Sequence, residues 1–179
     1  DTVELAGGTV GDIDLESSNN TLIMWGSASV VAGVNAESGT DVLQLFGGTI
    51  GGTISTGSAI DAITIGGTPT TFNSLPIAGV FGATDITGSI VMEGGNDSLT
   101  MNAGTLTGSV YMDAGLGNSN ALGADGFDDT VTLNGGAITG SIFTDAKADA
   151  QIGNDSVTID GATVGGAVST EAGDDVVSL

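Results

Sequence analysis

Apolar and polar residues alternate in a short segment that returns eight times along the chain. The copies are Asp1-Thr2-Val3-Glu4-Leu5, Asn20-Thr21-Leu22-Ile23-Met24, Asp41-Val42-Leu43-Gln44-Leu45 and Asp61-Ala62-Ile63-Thr64-Ile65. They continue as Asp97-Ser98-Leu99-Thr100-Met101, Asp129-Thr130-Val131-Thr132-Leu133, Asp155-Ser156-Val157-Thr158-Ile159 and Asp175-Val176-Val177-Ser178-Leu179. The third and fifth positions are apolar in every copy. Period-two alternation puts those positions on one face of a strand and their neighbours on the other. Successive copies start 19, 21, 20, 36, 32, 26 and 20 residues apart. A basic period near 20 with three lengthened copies predicts a solenoid, whose coils bury their apolar faces only by stacking on one another.

After each strand comes a glycine-rich turn, as in Gly7-Gly8-Thr9, Gly47-Gly48-Thr49, Ala103-Gly104-Thr105 and Gly135-Gly136-Ala137. Glycine supplies the positive φ that a sharp corner needs. One apolar residue follows: Val10, Val30, Ile50, Leu106, Ile138 or Val164. A second short strand then has Ile13/Leu15, Val34/Ala36, Ile54/Thr56, Ile90/Met92, Val110/Met112, Ile142/Thr144 and Val168/Thr170 as its inward residues. An acid usually closes it: Glu16, Glu37, Glu93, Asp113, Asp145 or Glu171. No stretch has the spacing of a helix capped at both ends. Like residues at like positions favour parallel, in-register ladders. The expected fold is all-β, a single-domain parallel β-solenoid of about 20 residues per coil, right-handed as parallel crossovers are. It spans 1–179, with insertions at 68–85, 114–127 and 146–153, and stacks to roughly 35 Å at about 4.8 Å per coil.

Charge narrows the partners. The chain has 22 Asp and Glu against one basic residue, Lys147, for a net charge of −21. That disfavours nucleic acid, which needs Lys and Arg to displace counterions, and an anionic membrane surface. It favours metal cations or a saline medium. There is no Cys and no His, so disulfides, thiolate metal sites and the usual general base are excluded. No apolar run is long enough to insert in a membrane as a helix. Both ends, Asp1 and Leu179, read as cuts in a longer or processed polypeptide.

The candidate chemistry lies at the acidic corner. Glu37-Ser38-Gly39-Thr40-Asp41, Glu93-Gly94-Gly95-Asn96-Asp97, Gly153-Asn154-Asp155 and Glu171-Ala172-Gly173-Asp174-Asp175 would stack carboxylates about 5 Å apart on adjacent coils. Such oxygen-rich corners suit Ca²⁺, which takes six to eight oxygen ligands. The alternative is that these acids cap turns by accepting from backbone amides. The insertion after Asp113 adds Asp125, Asp128 and Asp129, and Asp145 opens the next insertion. The candidate metal ligands are therefore Glu93, Asn96, Asp97, Asp113, Asp125, Asp128, Asp129, Asp145, Asn154, Asp155, Glu171, Asp174 and Asp175.

Gly94-Gly95-Asn96-Asp97-Ser98-Leu99-Thr100 and Ala172-Gly173-Asp174-Asp175-Val176-Val177 resemble the calcium-binding RTX nonapeptide, although the central glycine is missing. The run Asn154-Asp155-Ser156-Val157-Thr158-Ile159-Asp160-Gly161-Ala162-Thr163-Val164 is similar to the degenerate repeats of bacterial autotransporter passengers and large secreted adhesins. That resemblance implies a secreted or cell-surface β-solenoid and carries over no catalytic residue.

Two further features stand out. Val91, Tyr111 and Phe143 share the outward position of the second strand in consecutive coils, where earlier coils have Asp14, Asn35 and Ser55. They form either a face covered by the insertions or a contact stripe. Ser98/Thr100, Thr130/Thr132 and Ser156/Thr158 make a flat outward hydroxyl array, similar to the ice-binding faces of solenoid antifreeze proteins. Catalysis is not expected, because the acids recur as a repeat instead of forming one unique constellation. The expected function is a non-catalytic structural module of an extracellular or cell-surface assembly, a fibre, sheath or stalk. Its partner would be a second copy stacked head to tail, or the continuation of its own chain. The alternative is a calcium-dependent adhesin that binds through its insertions.

Overall fold

A computed structural model describes residues 1–68, 81–113, 127–145 and 153–179. Among the described residues there is no helix, and every paired strand is parallel to its neighbours. The chain coils round a three-sided interior. The first face holds residues 2–5 and 21–24, then Val42–Leu45, Ala62–Ile65, Ser98–Met101, Thr130–Leu133, Ser156–Ile159 and Val176–Ser178. The second holds residues 8–10 and 28–30, then Gly48–Ile50, Thr84–Ile86, Gly104–Leu106, Ala137–Ile138 and Thr163–Val164. The third is the seven-stranded sheet of Ile13–Asp14, Val34–Asn35, Ile54–Ser55, Ile90–Val91, Val110–Tyr111, Ile142–Phe143 and Val168–Ser169. Strands Thr2–Val10 and Thr21–Val30 run unbroken from the first face to the second, which joins those two faces into one 13-stranded sheet.

The parallel solenoid is thus as the alternation predicts, with one correction. The stretch read as a glycine turn plus one apolar residue is a strand in its own right. Its signal is faint because each coil contributes only one large apolar side chain, Val30, Ile50, Ile86, Leu106 or Ile138, all buried, and the other inward position holds glycine or a small residue such as Ala28 or Thr84. Thr84 and Asp85, read as the end of the 68–85 insertion, belong to this face and pair with Gly48 and Thr49. Buried Thr84 also donates its hydroxyl to the Leu45 carbonyl (2.8 Å).

Register is kept from coil to coil. On the first face Leu22, Leu43, Ile63, Leu99, Val131 and Val157 stack as one inward file, and Met24, Leu45, Ile65, Met101, Leu133 and Ile159 as the next. Insertion of 16 or 12 residues beyond the basic repeat leaves this stacking intact, because an insertion placed at a corner shifts no strand. The interior is a column of Leu, Ile, Val and Met from all three faces, and its burial is the main driving force for stacking.

Candidate functional site

The first residue of each repeat opens the first-face strand at an acidic corner. Its own carbonyl accepts from the next coil in the ordinary ladder, for example from Val42 N–H to Asn20 O (2.9 Å) and from Ser98 N–H to Asp61 O (3.0 Å). Its N–H takes a side chain as acceptor. Asn20 N–H donates to Asp41 Oδ1 (2.7 Å), Asp41 N–H to Asp61 Oδ1 (2.8 Å) and Asp61 N–H to Asp97 Oδ1 (2.8 Å). Asp97 N–H donates to Asp129 Oδ1 (2.8 Å), Asp129 N–H to Asp155 Oδ1 (2.9 Å) and Asp155 N–H to Asp175 Oδ1 (3.0 Å). Each aspartate therefore reaches back and clamps the coil before it. Asn20, Asp41, Asp61, Asp97, Asp129 and Asp155 are all buried.

The preceding residue makes a second, exposed file that runs the other way. Thr40 N–H donates to Asn19 Oδ1 (3.0 Å), Asp128 N–H to Asn96 Oδ1 (3.3 Å), Asn154 N–H to Asp128 Oδ1 (2.8 Å) and Asp174 N–H to Asn154 Oδ1 (3.0 Å). Adjacent residues thus tie each coil to both neighbours, and this satisfies backbone donors that no regular ladder reaches.

The third file is the acid that ends the third face. Glu16, Glu37, Glu93 and Glu171 sit there in the left-handed region. Asp113 and Asp145 hold the same place in two consecutive coils, held together by Asp113 N–H donating to Thr144 O (3.2 Å). Ala172 N–H donates to Asp145 Oδ2 (3.3 Å), and the Thr144 hydroxyl donates to Asp155 Oδ2.

Many oxygens of these files lack a well-formed hydrogen bond. Among the described residues, Oδ2 of Asp41, Asp61, Asp97 and Asp129, Oδ1 of Asp145 and both oxygens of Asp113 are buried without a hydrogen bond of good geometry. Burial lifts Asp129 to about 9, with the charge of Asp113 adding to it. Burial and then the charges of Asp61 and Asp113 lift Asp97 to about 8. Asp113 rises to about 8 through burial and the charges of Asp145 and Asp155, which the Phe127 amide only partly offsets. Asp61 and Asp145 reach about 6, mainly through burial. Burial also raises Asp41 and Asp155.

The candidate ligands read from the sequence are thereby sorted. Asp97, Asp129, Asp155 and Asp175 are rungs of the inner clamp. Asn96, Asp128, Asn154 and Asp174 are in the exposed file. Glu93, Asp113, Asp145 and Glu171 lie at the end of the third face, and Asp125 lies outside the described residues. The fold brings Asp97, Asp113, Asp129, Asp145 and Asp155 within one another's field. Among the described residues no three acidic side chains converge in metal-binding geometry. Asp41, which the sequence reading placed at the acidic corner, belongs to the same arrangement, as do Asp61 and Thr144, which escaped it; for Asp61 the signal was present, since it opens the repeat as Asp97 does.

Val91, Tyr111 and Phe143 are stacked in register. Val91 is buried, while the half-buried Tyr111 and Phe143 rings stack at 5.3 Å and 12°. Ser98, Thr130 and Ser156, with Thr100, Thr132 and Thr158, form two outward files on the first face. An open groove of about 320 Å³ runs over the third face of the early coils, lined by Asp12, Asp14, Asn35, Thr53 and Ser55 among others. No protein-family model matches the chain, and no curated protein and no solved structure matches it.

Proposed function

We propose that this chain is a structural rod, a non-catalytic segment of an extracellular or cell-surface fibre, sheath or stalk. The observation that carries this reading is the register of its ladders, which each face keeps from coil to coil, with one bulge at the corner between Leu5 and Gly7. The same inward files and the same aspartate clamp recur from coil to coil through the described residues. Such a rule is open-ended: any further coil of the same spacing extends it, whether from the same polypeptide or from a second copy. The strong negative charge keeps such rods apart laterally and makes their association dependent on salt.

Electron microscopy of the purified protein tests this. The expected result is rods one molecule wide that lengthen along their axis as salt and protein concentration rise. Particles that stay monomeric and never elongate under any of these conditions would refute end-to-end association.

A second reading, a calcium-dependent binding module, draws on one observation. The two insertions follow Asp113 and Asp145 in the sequence, and these two residues lie on consecutive coils of the stack. Deletion of 114–126 abolishes ligand binding if the chain is an adhesin and leaves filament formation intact if it is a rod.

A further inference from the structure

Three rungs of the exposed file are asparagines, and the stack uses only one end of each side chain. Asn19 Oδ1 accepts from Thr40 N–H (3.0 Å), Asn96 Oδ1 from Asp128 N–H (3.3 Å) and Asn154 Oδ1 from Asp174 N–H (3.0 Å). The oxygen of each amide is thus held by the next coil, and the nitrogen is left over. Among the described residues Nδ2 of Asn19 and Asn96 donates to no group. Nδ2 of Asn154 donates one of its two protons to Asp128 Oδ1 (3.3 Å). All three residues are exposed. Asn20, beside Asn19, is the opposite case: it is buried, and its Nδ2 donates to Ser18 O (2.8 Å) and Glu16 O (3.2 Å).

The sequence sets the same three apart. Of the ten asparagines in the chain, three have a hydroxyl residue two places on with no proline between: Asn19-Asn20-Thr21, Asn96-Asp97-Ser98 and Asn154-Asp155-Ser156. This is the acceptor pattern for a sugar linked through the asparagine nitrogen in secreted proteins. The fold gathers all three acceptors onto one exposed file. The middle residue of each, Asn20, Asp97 or Asp155, is a buried rung of the inner clamp. The hydroxyl residue opens the first-face strand at a half-buried position. At about 4.8 Å per coil, the acceptors lie about 14 Å and about 10 Å apart along the rod. Replacing one Nδ2 proton by a sugar leaves Oδ1 able to keep its hydrogen bond to the next coil. A sugar there projects sideways from an edge of the rod and does not obstruct the stacking of coils.

We propose that Asn19, Asn96 and Asn154 are glycosylation sites, three sugar attachments in one file along the acidic edge. The co-reactant is a sugar activated as its phosphate or diphosphate ester and delivered by a glycosyltransferase. Nδ2 forms a bond to the anomeric carbon, and the bond from that carbon to the phosphate oxygen breaks. The phosphate leaves with the electron pair, one Nδ2 proton goes to a base of the transferase, and nothing is oxidised or reduced.

The proposal rests on the extracellular placement of the rod, and the test separates the two. The chain is recovered from the organism that produces it, from outside the cells and from inside them. Tandem mass spectrometry of its peptides then reads the mass on each asparagine. Sugar is expected on Asn19, Asn96 and Asn154 of the outside chain, and none on Asn20, Asn102 or Asn134. Thr21→Ala, Ser98→Ala and Ser156→Ala, made in the same organism, remove the acceptor pattern and keep the asparagine. Each is expected to lose the sugar at its own site alone. An outside chain with all three asparagines bare overturns the glycosylation and leaves the location standing. A chain found only inside the cells overturns the location, and its asparagines, sugar-bearing or bare, decide the glycosylation separately. Sugar found only on Ser or Thr hydroxyls, or retained in all three hydroxyl variants, also overturns the proposal.

Discussion

Glu16, Glu37, Glu93 and Glu171 adopt φ of 55°, 57°, 53° and 54° at one corner of the solenoid, a region that non-glycine residues seldom enter. Gly57 fills the same place with φ 80°, and a Cβ there would lie 1.3 Å from the Glu37 carbonyl oxygen. Relieving that overlap means shifting the backbone of the coil below, so Gly57→Ala is expected to cost about 2–4 kcal/mol in urea unfolding. Thr56 and Thr144 give a second comparison at this scale. They hold equivalent buried positions, but only the Thr144 hydroxyl closes a hydrogen bond, to Asp155. Thr144→Val should therefore cost about 1–2 kcal/mol, and Thr56→Val less, because no well-formed bond is lost there. Equal unfolding midpoints for the two variants would contradict this.

The first-face strand, at the scale of the element, is a two-sided object. Leu99 is buried between Ile63 and Val131 in its file, while Thr100 beside it is half exposed. Leu99→Ala removes apolar contacts with the coils above and below, and is expected to destabilise by about 2–5 kcal/mol. Thr100→Ala is expected to stay within about 0.5 kcal/mol. Chemical denaturation of the two variants checks the orientation of the whole face, since a one-residue slip would exchange their effects. The second face shows where reading by alternation stops. Gly104–Leu106 has one large inward side chain, and Gly104 at φ 114° would place a Cβ 2.3 Å from the Thr84 carbonyl. Such a strand looks like a turn until its neighbours are stacked on it.

Charge acts on the molecule as a whole. With a net charge of −21, raising NaCl from about 0.05 M to about 0.5 M shortens the screening length and should raise the urea midpoint. The pH dependence has a definite sign. Asp61, Asp97, Asp113, Asp129 and Asp145 have folded-state values of about 6, 8, 8, 9 and 6, all above the ordinary 3.8. Between pH 3.8 and 9 the folded state therefore binds more protons than the unfolded chain. Stability from these groups is full at the acid end and is lost as pH rises through 6 to 9. This is the reverse of the usual acid denaturation, in which carboxylates paired in the native state are lost on protonation. Unfolding midpoints across that range check it.

The strands of the first and third faces, their inward positions and the parallel register were legible from the residues alone. Alternation is local, and a repeat that returns the same residue type to the same position leaves one way to bury every apolar file. The acidic corner was visible as a place, and Asp97 and Asp129 as members of it. Their roles were not. Whether an aspartate turns toward water, an ion or a backbone amide depends on a partner 20 to 36 residues away, across corners that carry insertions of unequal length. Only stacking the coils put Oδ1 of one rung against the N–H of another and left Oδ2 enclosed without a donor. The second face, the clamp and the raised affinity for protons all follow from contacts between coils, because burial and hydrogen-bond supply are properties of the assembled stack and not of any single repeat.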